Sequence, residues 1–137
     1  MAIINRNTDY AIRAISYIAK VQKDSGTVST KEVYKNTKIS RPFLRKILQI
    51  LAKNKIVESI KGKGGGFRLK HSPKDIYIID LIKIFQGKIE LSRCLLGRKI
   101  CPHIKRCKLR KKIDKIEQYV LEELSSITIK DLLEEAK

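Results

Sequence analysis

The chain has 137 residues, enough for one domain with an extension, and its 42% hydrophobic and 33% charged residues are typical of a soluble globular protein. No apolar run approaches the length of a membrane span, and the N-terminus lacks a secretory signal pattern, so we expect a cytoplasmic protein with no membrane partner. The formal net charge is +17, from 31 Lys and Arg against 14 Asp and Glu. Such an excess indicates a polyanionic partner if it is concentrated on one part of the chain.

The positive charge is concentrated between residues 31 and 74. This segment holds thirteen basic residues and two acidic ones, Glu32 and Glu58, which leaves it at +11. The C-terminal stretch 117–137 is acidic by contrast. A uniform lysine bias would spread the charge along the chain, so the segregation favours a nucleic-acid-binding face.

The first predicted helix lies in TDYAIRAISYIAKVQ, where apolar residues recur at helical spacing and Thr8 or Asp9 is predicted to cap the start. KDSGTVST is predicted to be a loop, and Ser29 or Thr30 to cap a short second helix that ends at Lys38.

A third helix is predicted from Arg41 to Asn54, with Ser40 as its N-cap and Pro42 in its first turn, where a missing N–H costs nothing. The predicted inward residues are Phe43, Leu44, Ile47, Leu48 and Leu51. The predicted outward residues are Arg41, Arg45, Lys46 and Gln49.

The stretch IVESIKGKGGGFRLK predicts a β-hairpin with a basic, glycine-rich turn. The predicted strand residues are Ile56, Val57 and Ile60 on one side and Phe67 and Leu69 on the other. A glycine-rich run can also cradle a nucleotide phosphate, but that site needs a helix after it, and here a strand pattern follows.

Three helices followed by a basic hairpin predict a winged helix-turn-helix, a mostly α fold with a small β-hairpin wing. The third helix is the predicted recognition helix, whose N-terminal residues enter the major groove. The predicted DNA-binding residues are Ser40, Arg41, Arg45, Lys46, Lys61 and Lys63. Arg45 is the best candidate for a bidentate contact to guanine, and the lysines of the hairpin tip suit phosphate or minor-groove contact.

Two further helices are predicted. SPKDIYIIDLIKIFQG is expected to be helical from Ser72-Pro73 to a stop at Gly87, and LRKKIDKIEQYVLEELSSI carries an apolar stripe. The stripe comprises Leu109, Ile113, Ile116 and Val120. It predicts a dimerisation helix, the alternative being a helix packed on its own domain. The predicted organisation is a DNA-binding domain at 1–87, a Cys-rich loop at 88–107, and a dimerisation helix with a C-terminal segment at 108–137.

All three cysteines, Cys94, Cys101 and Cys107, lie within the stretch RCLLGRKICPHIKRCKLR. Their spacing, Cys-x6-Cys-x5-Cys, is neither that of a ferredoxin nor that of a CxxC zinc pair. Basic neighbours favour the thiolate form that metals bind, so we expect a metal site rather than three independent thiols. His103 is a local candidate for a fourth ligand.

The stretches TDYAIRAISYIA and ISRPFLRKILQILAKNKIVESIKGKGGGFRL, with three cysteines in the loop that follows, resemble the Rrf2 family of bacterial transcription regulators. The resemblance covers nearly the whole chain. It implies a homodimer, a near-palindromic DNA operator and an iron–sulfur cluster, [4Fe–4S] or [2Fe–2S], held by the three cysteines. The family usually has five residues between successive cysteines, and this chain has six between the first two.

The same resemblance bears on the fourth ligand. IscR-type members of the family use a His three residues after the last Cys, where this chain has Arg110, which cannot be a ligand. NsrR-type members carry an Asp in the first helix that completes the partner subunit's cluster, and Asp9 matches that position. Asp9 is therefore preferred over His103, although a carboxylate near a helix start is also favoured by the helix dipole alone.

We therefore expect a transcription regulator whose operator binding is controlled by a cluster that senses nitric oxide, redox state or iron–sulfur supply. The alternatives are a cluster-free thiol sensor of the same fold and an iron–sulfur electron-transfer or carrier protein, for which the basic helix and wing have no use. No catalytic constellation is present in the sequence, so an enzyme is not expected.

Overall fold

The structure is a computed structural model and describes residues 3–91 and 107–135. These ranges contain six α-helices, a two-stranded hairpin and a short 3-10 turn at Pro73–Asp75. The elements are α1 (Arg6–Ser25), α2 (Thr30–Thr37), α3 (Arg41–Lys53), β1 (Val57–Ile60), β2 (Gly66–Leu69), α4 (Ile78–Gln86), α5 (Lys108–Ser125) and α6 (Ile129–Glu135). The predicted class, mostly α with a small β-hairpin wing, is confirmed.

Helix α1 begins earlier and ends later than predicted. Its N-cap is Asn5, whose side chain accepts a hydrogen bond from the backbone N–H of Thr8, so the prediction of Thr8 or Asp9 as cap was wrong. Asn5 lies in extended backbone, the conformation that an N-cap requires. The helix continues to Ser25 and ends at Gly26, which takes a positive φ of 77°. The predicted loop is thus reduced to the residues between Gly26 and Ser29.

Helices α2 and α3 form the helix-turn-helix. Ser29 caps α2 by accepting from the backbone N–H of Glu32, as predicted, and Lys38 ends that helix in the left-handed conformation. The face of α3 that carries Leu44, Ile47, Leu48 and Leu51 is fully buried, as predicted. These residues pack with α1 and α4 into one hydrophobic core.

Phe43 does not belong to that core, and the prediction that it faces inward was wrong. Its side chain is 48% exposed. It directly precedes Leu44, which places it about 100° around the helix from the buried face. Its ring instead lies against that of Tyr10, with centroids 6.3 Å apart.

Strands β1 and β2 pair antiparallel with Val57 opposite Leu69 and Ile60 opposite Gly66. A third segment lengthens this small sheet, because Val28 and Phe67 exchange two backbone hydrogen bonds of 2.8 Å. A Cβ at Gly66 would lie 2.4 Å from the carbonyl oxygen of Val28, so this close approach requires glycine. The wing is therefore joined to the loop between α1 and α2.

Helix α4 begins at Ile78, not at Ser72-Pro73 as predicted. Pro73 begins the 3-10 turn, after which Ile76 and Tyr77 are extended. The backbone here pairs with the C-terminal part of the chain, since the N–H of Ile78 donates to Ile127 and that of Ile129 donates to Ile76. This pairing, which is distant in sequence, interrupts the helix that local periodicity predicts.

The C-terminal helix α6 packs against α1 and the 3-10 turn, and its first residue, Ile129, is fully buried. Leu121 and Leu124 of α5 also pack on the core. The segment that follows α5 therefore packs on the DNA-binding part of the chain. The division into domains stays a prediction. Among the helices described for 3–91 and 107–135, none combines the length and the apolarity needed to cross a bilayer.

Candidate nucleic-acid interface and thiol site

The first two turns of α3 present the predicted DNA-reading residues to solvent. Ser40 occupies the N-cap position, but its side chain makes no capping hydrogen bond. Ser40, Arg41, Arg45 and Lys46 are all exposed. Since Leu44 and its buried neighbours hold the opposite face of α3 in the core, these side chains project from a fixed helix.

Arg41 is held by an aromatic ring of the preceding helix. Its guanidinium carbon Cζ lies 4.9 Å from the centroid of the Tyr34 ring, within the range of a cation–π contact. Tyr34 is itself 38% exposed. The contact restrains a long side chain before any ligand binds, which lowers the conformational entropy lost on binding.

The wing carries Lys61 and Lys63 at its exposed tip. The hydroxyl of Thr27 donates to the carbonyl oxygen of Gly64 over 2.8 Å, which fixes the tip to the loop before α2. Arg68 and Glu58 form an ion pair across the two strands. The wing is thus a braced hairpin with two lysines beside its turn.

Helix α5 has two apolar faces, and only one of them is covered. Leu121 and Leu124 pack on the core, whereas Leu109 and Ile116 of the predicted stripe are 68% and 55% exposed. Ile113 and Val120, the other two stripe residues, are partly buried, and the neighbouring Tyr119 is 63% exposed. Helix α5 therefore packs in part on its own domain and also presents an exposed apolar band, and its role in dimerisation stays a prediction.

Of the three predicted cysteine ligands, only Cys107 lies within the described residues. It occupies the N-cap position of α5, is partly exposed and forms no disulfide. Cys94, Cys101 and His103 lie outside the described residues. Within 3–91 and 107–135, no group of three or more His, Cys, Asp or Glu side chains gathers in a metal-binding arrangement.

Asp9, the predicted fourth ligand, lies on the accessible side of the first part of α1. Its carboxylate is 43% exposed and accepts from Arg13 Nε at 3.1 Å, one turn further along the helix. Both residues line an open cavity of about 520 Å³, together with Ile4, Asn5, Arg6 and Tyr10. The carboxylate is therefore open to an incoming group, and its ion pair is an exposed one that is easily exchanged.

Sequence reasoning missed a polar cluster at the start of α1. Gln86, the last residue of α4, hydrogen-bonds to Ile3, Asn5 and Thr8. The sequence signals these contacts only weakly, because the partners are about eighty residues apart. The Asn5 cap itself was visible as a polar residue just before a helical pattern.

A helix-turn-helix whose second helix has basic, exposed residues in its first two turns, followed by a braced basic hairpin, defines a winged-helix DNA-binding protein. A family model described as Rrf2, an iron-dependent transcriptional regulator, matches residues 4–135. The chain belongs to the Rrf2 family of transcription regulators.

Relatives support this assignment. A protein of Aquifex aeolicus named as an HTH-type transcriptional regulator is 33% identical over 133 residues, which cover 96% of this chain and 91% of that one. CymR, the global cysteine regulator of B. subtilis, is 27% identical with a TM-score of 0.79, and the match covers 98% of both chains. T. potens IscR is 24% identical with a TM-score of 0.76, covers 98% and 88% of the two chains, and shows a common fold.

Proposed function

We propose that this Rrf2-type regulator binds a near-palindromic operator as a homodimer, and that an iron–sulfur cluster on Cys94, Cys101 and Cys107 controls its affinity. The observation that carries the DNA-binding half is the set of exposed basic residues on the first two turns of α3 and on the wing tip. The cluster half rests on three cysteines within fourteen residues and on the accessible Asp9 carboxylate.

DNA recognition divides between α3 and the wing. The N-terminal two turns of α3 enter the major groove, where the Arg45 guanidinium donates two hydrogen bonds to one guanine. Arg41, restrained by Tyr34, and Lys46 contact the flanking backbone or bases. Lys61 and Lys63 bind phosphates or the adjacent minor groove, and because the wing is braced, little conformational entropy is lost there.

Dimerisation is supported by the apolar band on α5. Leu109, Ile116 and Tyr119 are each more than half exposed on a single helix, which is the composition of an interface and not of a solvated face. A second copy of the chain covers the band in a two-fold arrangement. Two recognition helices are then presented about 34 Å apart, the distance between successive major grooves on one side of the duplex.

The described ligand atoms fit a cluster with one exchangeable ligand. The partly exposed thiol of Cys107 and the accessible carboxylate of Asp9 are of the types that bind iron, thiolate strongly and carboxylate weakly. When bound, the cluster supplies iron that nitric oxide or oxygen attacks. Cys107 adjoins the first residue of α5, so its ligation restrains the start of the dimer helix and with it the spacing of the two recognition helices.

Anaerobic purification tests the proposal directly. We expect a brown protein with iron and sulfide bound to the chain, and a tenfold or greater change in affinity for a duplex selected by the wild-type protein when the cluster is removed. A chain that stays colourless after reconstitution with iron and sulfide contradicts the cluster, and unchanged affinity contradicts its control of DNA binding.

The second candidate function is a cluster-free thiol sensor, which the accessible, unpaired Cys107 favours. Oxidation then takes a thiolate to a sulfenic acid, which condenses with a second thiol and releases water as a disulfide forms. Treatment of the metal-free protein with hydrogen peroxide, followed by mass spectrometry, distinguishes the two. A mass loss of two hydrogens together with a change in DNA affinity supports the thiol sensor.

A further inference from the structure

Gln86 holds the start of α1 with three hydrogen bonds from one side chain. Its Oε1 accepts from the backbone N–H of Asn5 at 2.8 Å and from the hydroxyl of Thr8 at 2.7 Å. Its Nε2 donates to the carbonyl oxygen of Ile3 at 3.1 Å. Gln86 is the last residue of α4, so these bonds join the end of one helix to the beginning of another.

The orientation of this amide is fixed by its partners. A backbone N–H can only donate and a backbone carbonyl can only accept, so the oxygen of Gln86 must face Asn5 and the nitrogen must face Ile3. Thr8 is fully buried, so water cannot readily replace a bond lost there, and another acceptor within reach of its hydroxyl is Oδ1 of Asn5 at 3.0 Å. Asn5 caps α1 by accepting from the backbone N–H of Thr8, so Gln86 contacts both residues of the cap.

The hydrogen-bonded group formed by Gln86, Asn5, Thr8 and Ile3 adjoins the segment that contains the cysteines. Gly87 ends α4 immediately after Gln86, and Cys94 follows eight residues after Gln86 in the sequence. The backbone N–H of Leu91, on the same connection, donates to Glu117 of α5 at 3.1 Å. The described part of this connection is therefore tied at one end to the start of α1 and at the other to the dimer helix.

On the other side, the first turns of α1 lead to the recognition helix. Tyr10 follows Thr8 by two residues, and its ring lies against the ring of Phe43 with centroids 6.3 Å apart. Phe43 lies in the first turn of α3, between Arg41 and Arg45. The path from Gln86 therefore runs through hydrogen bonds to Asn5 and Thr8, along the backbone of the first turns of α1 to Tyr10, and through its ring to Phe43.

We propose that Gln86 is a positioning residue that transmits the state of the cysteine site to the recognition helix through the first turn of α1. The inference rests on the proposed function, because the cysteines supply the signal. It concerns the residues through which that signal reaches α3 and not the ligands of the iron–sulfur cluster. A shift of the connection that starts at Gly87 moves Gln86, and its three bonds move the start of α1 and, through Tyr10, the position of Phe43. Coupling of this kind requires an element with two discrete arrangements that both sites bias, and here that element is the first turn of α1.

The test uses the full-length chain and three substitutions. Gln86→Leu keeps the size of the side chain and removes all three bonds. Gln86→Glu keeps an oxygen that accepts from Asn5 and Thr8 but turns an acceptor towards the carbonyl oxygen of Ile3, so it should restore the wild-type behaviour in part and remains informative if the Leu variant does not fold. Gln118→Leu is the matched control, because Gln118 is exposed on α5 and bonds only to Glu122 among the hydrogen bonds described.

The measurement is hydrogen exchange at residues 3–10 and 40–46, before and after reconstitution with iron and sulfide. In the wild-type chain we expect both segments to change. In Gln86→Leu, exchange at 3–10 should be at least about tenfold faster, as expected when three hydrogen bonds are lost, one of them to a buried hydroxyl, and the change at 40–46 should disappear at equal iron content. The cluster-dependent ratio of duplex affinities should fall to within twofold of one.

Three results overturn the inference: Gln86→Leu keeps the wild-type change at 40–46, Gln118→Leu loses it equally, or the wild-type chain shows no change there. Failure of the wild-type chain to take up iron contradicts the proposed function instead. In that case, hydrogen exchange is compared between reduced protein and protein whose thiols are alkylated with iodoacetamide. The inference then requires that alkylation changes exchange at 40–46 in the wild-type chain and not in Gln86→Leu.

Discussion

The hydroxyl of Thr27 donates a hydrogen bond to the carbonyl oxygen of Gly64 over 2.8 Å and so joins the loop before α2 to the tip of the wing. Together with the backbone pairing of Val28 with Phe67, this bond attaches the wing to the loop that leads into the helix-turn-helix. Both contacts lie beside Lys61 and Lys63, the predicted phosphate-binding residues.

Thr27→Val should weaken DNA binding with little effect on folding. The substitution keeps the shape of the side chain and removes its hydrogen bond to Gly64. The wing tip is then less ordered in the free protein, and ordering it on DNA binding costs conformational entropy. A net hydrogen bond is worth about 0.5–1.5 kcal/mol, which predicts an approximately twofold to tenfold rise in the Kd for a selected duplex. Thr37→Val is the control, because the hydroxyl of Thr37 bonds to Val33 and Ile39, neither of which belongs to the wing. Equal losses for both variants would contradict a specific role of the wing contact.

Arg45→Ala and Lys61→Ala should weaken DNA binding in different ways. Loss of a bidentate contact to guanine costs about 1–3 kcal/mol for the cognate sequence and relaxes the preference at that base pair. Loss of a phosphate contact weakens all sequences alike and lowers the slope of log K against log salt by about 0.9 for a duplex. Binding of both variants to cognate and scrambled duplexes across a salt series separates the two roles. The assignment of Arg45 is contradicted if its variant retains full sequence preference.

Ile116→Glu should convert the protein to a monomer. Ile116 is 55% exposed at the centre of the apolar band on α5, and a carboxylate buried there opposite its own symmetry mate is strongly unfavourable. Gln118→Glu introduces the same charge about 200° around the helix and should leave the dimer intact. Sedimentation at micromolar concentration measures the oligomeric state of both variants. If Ile116→Glu still dimerises with unchanged affinity between the two chains, the apolar band is not the dimer interface.

The helix-turn-helix and wing could be predicted from the sequence because each of their signals is local. Ser29 caps α2, Leu44 and its neighbours recur at helical spacing, and glycines separate two alternating strands. Phe43 was misplaced because it adjoins the buried face, and only its partner Tyr10, from another helix, explains its exposure.

Contacts between distant residues explain the other differences. The break before Ile78 follows from pairing with Ile127 and Ile129, and local periodicity carries no trace of those partners. Helix α6 could have been found, since Thr128 and Asp131 form a reciprocal capping pair, a Thr-x-x-Asp pattern that is visible in the sequence. The ligands of the cluster stay a prediction, because only Cys107 and Asp9 of the proposed set lie within the described residues.

Lys55→Gly should stabilise the fold. Lys55 has a positive φ of 61° at the turn between α3 and β1, a conformation that costs a non-glycine residue about 1 kcal/mol. Glycine removes that cost but adds entropy to the unfolded chain, so we expect a gain of about 0.5 kcal/mol or less in the free energy of unfolding. Lys53→Gly, within α3, should instead lose about 0.5–1 kcal/mol. Urea unfolding compares the two, and a Lys55→Gly chain no more stable than Lys53→Gly would contradict the strain.

Asp9→Ala should leave cysteine ligation in place but weaken the cluster. The variant keeps three thiolates, so iron uptake continues, while the visible spectrum changes and the lifetime of the cluster in air falls several-fold. Asp80→Ala is the control, because Asp80 is also an exposed first-turn carboxylate but lies in α4. An unchanged spectrum and lifetime in Asp9→Ala would exclude Asp9 as a ligand and leave His103 as the remaining candidate.

Mixed dimers should show whether Asp9 acts on its own cysteines or on those of a partner. A dimer of one Asp9→Ala chain and one Cys107→Ala chain contains a complete site only if Asp9 of the second chain reaches the cysteines of the first. Ligation across the dimer therefore predicts that each mixed dimer holds one wild-type-like cluster, half the content of the wild-type dimer. Ligation within one chain predicts no wild-type-like cluster, because the Asp9→Ala chain then holds only the weakened three-cysteine cluster and the Cys107→Ala chain lacks a cysteine. Differently tagged chains, purified together and reconstituted without oxygen, give the answer from the visible spectrum of the mixed species and from the lifetime of its cluster in air, since the iron content is about half that of the wild-type dimer in both cases.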